Sequence, residues 1–152
     1  MIQELTSQES LELLARLHLG RLGCAKGNQP YVVPFHFSYD NNYLYSFSTV
    51  GRSIDWMRLN SFVCVEADEV VNVQQWASVI VFGRYEELPD TPEWQSVRTL
   101  AHQLLTQNPT WWEPGYVKTI LHGTERPFVP VFYRIRVVEI TGHRATPEIG
   151  RT

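Results

Sequence analysis

The side chains that most often perform chemistry in proteins are few in this sequence, and their spacing matches no common catalytic or metal site. Cys24 and Cys64 both lie in apolar, strand-like runs, and their separation fits no zinc motif. We interpret them as buried free thiols. Glu66, Asp68 and Glu69 lie close together, but a solvated strand end explains them better than a metal site does. We therefore predict no bound metal.

His36 is the candidate for acid–base catalysis, because an imidazole can release or take up a proton near neutral pH. Without further context it is a polar residue on the solvent face of an alternating strand. Arg52 follows Gly51 at the start of a predicted helix, where an exposed arginine is ordinary. His102 and His122 are expected on helices, as surface or capping residues. By themselves these residues indicate no particular reaction.

The composition is that of one globular domain. The 152 residues are 43% hydrophobic and 19% charged, which allows a core of useful size and argues against disorder. The net charge of −3 and the lack of a basic stripe argue against a nucleic-acid partner. No apolar run approaches the roughly 20 residues that cross a bilayer, and the N-terminus lacks the pattern of a signal peptide. We expect a cytoplasmic protein that does not bind membranes.

Helices are predicted at the N-terminus and in three later segments. Thr6 and Glu9 match a capping box, the following leucines recur at helical spacing, and Gly20 is the expected helix stop. The later helices are predicted over residues 51–60 and 89–105 and over a short segment ending near His122. Between the last two lies a loop with Trp111 and Trp112, which fits either a cleft rim or a dimer interface.

Strands are predicted over residues 21–26, 30–40, 43–48, 62–67, 76–88 and 128–141. In the second of these the residues from Tyr31 to Tyr39 alternate between two faces. Pro34 lacks an amide donor, so it should lie at an edge, at a bulge or against a ligand. Because few helices separate the strands, the sheet should be antiparallel, and a closed or split barrel would leave the fewest exposed edges. We predict one domain over residues 1–143 and a frayed tail over 144–152.

Most of the chain resembles the FMN-binding, pyridoxamine 5′-phosphate oxidase-like superfamily, and above all its nitroimidazole-resistance-like branch. The ordered segments that carry the resemblance are PYVVPFHFSYD, NNYLYSFSTVGRSIDWMRLN, SFVCVEAD, WASVIVFGRYEEL and FYRIRVVEITGHRA. The resemblance implies a mainly β fold, a six-stranded antiparallel split β-barrel with flanking helices. It also implies a homodimer with FMN in clefts at the interface.

The resemblance further implies which residues contact FMN. Along the ring and the ribityl chain they are Val33, Pro34, Phe35 and His36. Around the phosphate they are Ser48, Thr49, Arg52 and Ser53. The remaining ring contacts are Phe47, Trp76 and Ser78.

The chemistry of the implied phosphate site is sound, because a helix start and a guanidinium both donate to phosphate oxygens. Two positions depart from the family pattern. Ser53 stands where a lysine is common, a loss for which Arg58 could compensate. Phe47 stands where nitroimidazole-resistance proteins typically carry a histidine beside the flavin.

The expected function is that of a flavin-dependent oxidoreductase, in which FMN takes a hydride from NADH or NADPH and passes electrons to a small molecule. With a flavin beside it, His36 becomes a candidate proton donor. The main alternative is a non-catalytic protein that binds flavin, haem or a deazaflavin for sensing or storage. A structural dimer with a decayed site is a third interpretation.

Overall fold

The computed structural model describes residues 1–113, 120–121, 124–125 and 129–148. The strands are β1 (Ile2–Leu5), β2 (Leu19–Lys26), β3 (Gln29–His36), β4 (Ser38–Asp40), β5 (Tyr43–Thr49), β6 (Phe62–Asn72), β7 (Gln75–Glu87), β8 (Ile120–Leu121), β9 (Thr124–Glu125) and β10 (Pro130–Ala145). The helices are α1 (Ser7–Arg16), α2 (Arg52–Leu59) and α3 (Gln95–Leu105), with a 3-10 turn at Pro92–Trp94 before α3.

One antiparallel sheet forms the body of the protein, in the order β3-β2-β6-β7-β10-β5-β4, and β1 pairs with β10. Its two end strands, β3 and β4, are separated in the chain by Phe37 alone, so the sheet must curl until its edges face each other. The edges are not joined by a ladder of backbone hydrogen bonds, although the Ser46 hydroxyl donates to the carbonyl oxygen of His36 at 2.6 Å. The sheet is therefore a split barrel, as predicted.

The six long strands β2, β3, β5, β6, β7 and β10 correspond to the six that the sequence predicts. The predicted strand over 30–40 is divided at Phe37, whose amide donates to the carbonyl oxygen of His18. β1 was not predicted. β10 continues to Ala145, so the first two residues of the predicted tail are paired with β1 and β7.

Two predictions about helices are wrong. The helix α1 ends at Arg16, and Gly20 lies inside β2, where a Cβ would come within 2.4 Å of the carbonyl oxygen of Glu66. Gly20 is therefore needed for the close approach of β2 to β6 rather than for a helix stop. The helix expected to end near His122 is replaced at Ile120–Leu121 by a strand paired with β9, and His122 itself lies outside the described residues.

The core fills the inside of the barrel, and two helices close it. α1 contributes Leu13 and Leu14, and α2 contributes Ile54 and Met57, all fully buried. The predicted capping box is present, since the Thr6 hydroxyl accepts from the Glu9 amide and the Glu9 carboxylate accepts from the Thr6 amide. These two bonds lower the pKa of Glu9. No helix in the described part of the chain is long and apolar enough to cross a membrane.

The close approach at Gly20 can be tested by comparison with Gly23 on the same strand. A Cβ at Gly20 meets backbone, whereas a Cβ at Gly23 meets the Sγ of Cys64, the end of a movable side chain, at 2.7 Å. We expect Gly20→Ala to lower the free energy of unfolding by about 2–3 kcal/mol, and Gly23→Ala by less than about 1 kcal/mol. Urea unfolding of both variants checks this. Equal losses would show that β2 can move away from β6.

Candidate functional site at the split of the barrel

The start of α2 lies at one end of the split. Gly51 is the N-cap residue and has no side chain, so it makes no capping hydrogen bond to the first turn. Arg52 is exposed, and its guanidinium carbon lies 5.4 Å from the centre of the Tyr31 ring. Ser53 is half-buried beside it. This group can receive an anion, because the first amides of a helix and an exposed guanidinium are available in the same turn and the helix dipole adds positive potential.

The end of β5 supplies hydroxyl groups close to this helix start. The Ser48 hydroxyl donates to the carbonyl oxygen of Thr49 at 3.4 Å, and the Thr49 hydroxyl accepts from the Val129 amide at 3.3 Å. Both side chains are half-buried. Because a hydroxyl can donate and accept at once, Thr49 keeps its proton available for an anion.

Arg58 does not compensate for the missing lysine at Ser53. Its guanidinium is paired with Glu87 through bonds of 2.8 and 3.2 Å. The Tyr85 hydroxyl donates to the same carboxylate at 2.7 Å, and together these contacts lower the pKa of Glu87. Arg58 therefore holds α2 against β7, and Arg52 is the single cation among the predicted phosphate contacts.

β3 is an end strand of the sheet, which is one of the three positions that the missing amide of Pro34 allowed, and its backbone runs along the split. Pro34 and His36 are exposed and Val33 is half-buried. Phe35 points into the barrel, where its ring stacks on Phe37 at 5.4 Å, so only its backbone can reach a ligand in the split. Tyr31, beneath Arg52, and His36 are five residues apart on β3, about 17 Å in an extended strand.

A small cavity of about 20 Å³ lies at the His36 end of the split, lined by His18, His36, Phe37, Ser38, Phe47, Leu105, Asn108 and Trp111. The ring of Phe47 is buried and lies 5.3 Å from that of Trp111, which places Trp111 at the rim of the cleft. Nδ1 of His18 lies 3.1 Å from the carbonyl oxygen of Phe37. The cavity therefore has an aromatic wall and a polar mouth, with two imidazoles that could exchange protons with a ligand.

Trp76 and Ser78 lie apart from the other predicted residues. Ser78 is in register with Asp68 on β6 and His143 on β10. Strands β2 and β6 lie between β7, which carries Ser78, and β3. At the usual spacing of neighbouring strands, β7 is therefore about 14 Å from β3 around the sheet. One chain thus brings together the predicted residues of β3, β5 and α2 but not those of β7.

We call the side of the sheet turned away from the barrel interior the outer face. Its exposed apolar residues are Val32, Phe62, Ile80, Phe82 and Val138, which are 41% to 64% exposed. Most of them surround a shallow depression of about 460 Å³ that also includes Cys64. The predicted burial of the cysteines is therefore correct for Cys24, whose pKa burial raises, and wrong for the exposed Cys64. Monomeric proteins seldom expose such a continuous apolar surface.

A pair of carboxylates interrupts this outer face. Glu66 and Asp68 share one side of β6, with Arg21 opposite Glu66 on β2. Burial, and then the neighbouring Asp68 carboxylate, raise the pKa of Glu66 to about 7, against the smaller effect of Arg21. The predicted strand end is wrong, because β6 continues to Asn72. The predicted exposure to solvent is correct for Asp68 and Glu69 and wrong for the half-buried Glu66.

Comparison with known proteins identifies the family. The family profile described as pyridoxamine 5′-phosphate oxidase matches residues 6–144. The chain belongs to this family. The resemblance that the sequence segments indicated is thereby confirmed.

Relatives with the pyridoxamine 5′-phosphate oxidase fold include proteins of similar length. An uncharacterized protein of Rhizobium meliloti is 37% identical over 144 residues, which are 95% of each chain. An FAD-binding protein from Mesorhizobium loti is also 37% identical, with 97% of this chain and 98% of that chain covered and a TM-score of 0.78. A Bacteroides thetaiotaomicron protein assigned to 5-nitroimidazole antibiotic resistance is 18% identical over 95% and 89% of the two chains, with a TM-score of 0.65, and shares the fold.

The sequence did not single out several residues of this site. Tyr31 beneath Arg52 and Ser46 across the split become visible only when β3 and β5 lie side by side. His18 and Asn108 reach the cavity from distant parts of the chain, and no sequence spacing signals that. His102 is exposed on α3, as predicted, and its ring meets that of Trp111 edge-on at 5.1 Å.

Proposed function

We propose that this protein binds a flavin in the split between β3 and β5, with the phosphate at the start of α2 and the ring towards His36. The observation that carries the proposal is the uncapped start of α2 with Arg52, placed at one end of an open edge strand. Hydrogen-bond donors for an anion lie at one end of that strand, and an aromatic wall with imidazoles lies at the other. A long molecule with a phosphate tail and a flat ring fits this order of groups.

FMN is the flavin that the sequence predicts, and FAD is the second candidate. The Mesorhizobium loti relative is an FAD-binding protein. FAD contains the ring, the ribityl chain and the first phosphate of FMN, so the same residues would hold it. The phosphate of FMN is close to a dianion at neutral pH, whereas each phosphate of FAD carries one charge. A site with Arg52 as its single predicted cation is therefore compatible with FAD.

The bound flavin would supply the redox chemistry, taking a hydride from NADH or NADPH and reducing a small acceptor in a cytoplasmic setting. The residues of this chain bind, orient and shield it. Arg52 and the first amides of α2 hold the phosphate, and the backbone of β3 aligns the ribityl chain and ring. Phe47 and Trp111 exclude water on one side. The exposed imidazole of His36 can hold a proton beside the ring.

We also propose that the protein is a homodimer, in which the outer faces of two copies pack together. Trp76 and Ser78 continue the outer face along β7, so a second copy on this face would carry them towards a neighbouring split. This would reunite the two groups of predicted contacts that one chain keeps apart. The apolar residues of the outer face provide the hydrophobic centre that an interface of about 800 Å² per partner requires.

The phosphate contact can be tested with Arg52→Gln, measured by flavin titration calorimetry. We expect the dissociation constant for FMN to rise about 10- to 100-fold, because one charge-assisted contact is lost. The affinity for riboflavin, which lacks the phosphate, should not change. Lys26→Gln, on an exposed residue of β2, is the matched control and should bind FMN like the wild type. Equal losses for FMN and riboflavin would place the phosphate elsewhere.

The oxidoreductase activity can be tested by adding NADH or NADPH anaerobically to the flavin-loaded protein. We expect the visible absorption of the flavin to bleach and to return when a small acceptor is added. A flavin that dithionite reduces but neither nucleotide does would favour the sensing or storage alternative. A Soret band in the purified protein, abolished by replacement of a histidine, would identify haem instead.

The proposed dimer can be tested with Phe82→Glu, which places a charge within the outer face. Sedimentation should give twice the chain mass of 17.6 kDa for the wild type and the single mass for the variant. The flavin affinity of the variant should also be lower, because without a second copy Trp76 and Ser78 cannot contact a flavin bound in the partner's split. Leu59→Glu, at a 74% exposed position on α2, should remain dimeric. A wild type that sediments at the mass of a single chain would refute the dimer. A monomeric Phe82→Glu variant that binds flavin as tightly as the wild type would refute the shared site.

A further inference from the structure

His18, the residue before β2, is joined to the connection between β3 and β4 by two hydrogen bonds. Its carbonyl oxygen accepts from the Phe37 amide at 3.0 Å, and its Nδ1 lies 3.1 Å from the Phe37 carbonyl oxygen. A carbonyl oxygen can only accept, so Nδ1 carries the proton of the neutral imidazole. Nε2 is then left with a lone pair, and His18 lines the small cavity beside His36. His18 therefore offers a ligand in that cavity a hydrogen-bond acceptor.

Asn108 has the opposite chemistry at the same cavity. Its Oδ1 accepts from the Thr110 amide and from the Thr110 hydroxyl, both at 3.2 Å. Because Oδ1 is engaged in this way, the two protons on Nδ2 are what Asn108 can offer to a ligand. Ser38 adds an acceptor, since its hydroxyl proton is directed to the carbonyl oxygen of Leu104 at 3.4 Å. The cavity thus combines acceptors with a donor.

The size and the polarity of this cavity select one edge of a flavin ring. Its volume of about 20 Å³ holds one water-sized group, so an edge can enter and a ring face cannot. The benzenoid edge of a flavin carries two methyl groups, which would cover the polar groups of His18 and Asn108 without pairing them, at a cost in binding free energy. The pyrimidine edge is an imide, in which the N3–H donor lies between two carbonyl acceptors. The imide edge therefore matches the cavity.

We infer that His18 and Asn108 recognise the imide edge of the flavin: the N3–H group donates to Nε2 of His18, and a flanking carbonyl oxygen accepts from Nδ2 of Asn108. The inference rests on the proposed function, in which the ring lies towards His36, and adds which edge of the ring enters the cavity. FMN and FAD have the same imide edge, so the assignment does not depend on the choice between them.

The two recognition groups are oriented by the protein itself. The bond from Nδ1 to the Phe37 carbonyl oxygen limits rotation of the His18 ring, and the two bonds from Thr110 hold the Asn108 amide. Groups that are oriented before binding lose less conformational entropy when a ligand arrives. A ligand that lacks the matching donor gains nothing from this arrangement and leaves the acceptor unpaired.

The test compares the dissociation constants of FMN and of 3-methyl-FMN, in which a methyl group replaces the N3 proton, by titration calorimetry. We expect the wild type to bind 3-methyl-FMN about 10- to 100-fold more weakly, because the donor is lost and Nε2 of His18 is covered without a partner. An analogue altered at the benzenoid edge, 8-chloro-FMN, should bind nearly as tightly as FMN.

Two variants remove the two recognition groups separately. His18→Asn keeps a donor for the Phe37 carbonyl oxygen but lacks the acceptor, so the ratio between 3-methyl-FMN and FMN should fall below about threefold. Asn108→Asp keeps the shape and the acceptor for Thr110 but replaces the donor by a carboxylate. It should weaken FMN binding about tenfold or more, which covers the case in which His18→Asn folds poorly. Gln107→Glu, on the neighbouring exposed amide outside the cavity lining, adds the same charge and should bind FMN like the wild type.

A second measurement separates the hydrogen bond from the bulk of the added methyl group. When FMN labelled with nitrogen-15 at N3 is bound to the wild type, the N3 proton should exchange slowly with water and give a resolved NMR signal. In His18→Asn the signal should be lost, because the proton then exchanges with solvent.

Several results would overturn the inference while leaving flavin binding intact. Equal affinities of the wild type for FMN and 3-methyl-FMN would do so, and discrimination against 8-chloro-FMN alone would show the ring reversed. Discrimination against 3-methyl-FMN without an N3 signal would assign the effect to the size of the methyl group. An unchanged ratio and signal in His18→Asn would remove His18 from the contact. A wild type that binds neither FMN nor FAD would overturn the proposed function and this inference with it.

Discussion

The structure depends on one constraint of chain connectivity: the two end strands of the sheet are joined through a single residue, Phe37. The side chain of this residue is 2% exposed, and its amide donates to the carbonyl oxygen of His18. The connection is therefore held both by packing in the core and by a backbone hydrogen bond. A sheet with that connection has to curl until its end strands meet, yet its twist leaves β3 without a full ladder to β5. An unpaired edge with exposed backbone groups invites a ligand or another chain. The candidate site follows from this open edge.

The second requirement is that α2 begins beside that edge. Burial of Ile54 and Met57 fixes the helix against the barrel, and the Arg58–Glu87 pair adds orientation at its far end. That pair is partly exposed, so it contributes little energy compared with the two buried side chains. With the helix held in this way, Arg52 in its first turn faces Tyr31. The proposed phosphate end of the site is thus positioned by apolar packing rather than by charge.

The sequence predicted those parts of the fold that local patterns determine. Alternation identified the six long strands, and the capping box at Thr6 located α1, because both signals lie within a few residues. The pairing of β1 with β10 joins the two ends of the chain, and no local pattern in Ile2–Leu5 indicates it. Gly20 was misjudged for the same reason, since its role depends on how closely β6 approaches. Within the site, alternation separated the two faces of β3 but did not show which of them is interior, so the burial of the Phe35 side chain, which leaves only its backbone for a ligand, was not predicted.

The open edge and the outer face connect the cofactor to the partner. If a second copy supplies Trp76 and Ser78 to a flavin held mainly by β3, β5 and α2, then flavin affinity depends on association. Thermodynamic linkage requires the reverse as well, so bound flavin must tighten the dimer by the same factor. Flavin and second copy would then each favour binding of the other, although the flavin is held mainly at the split and the second copy packs on the outer face.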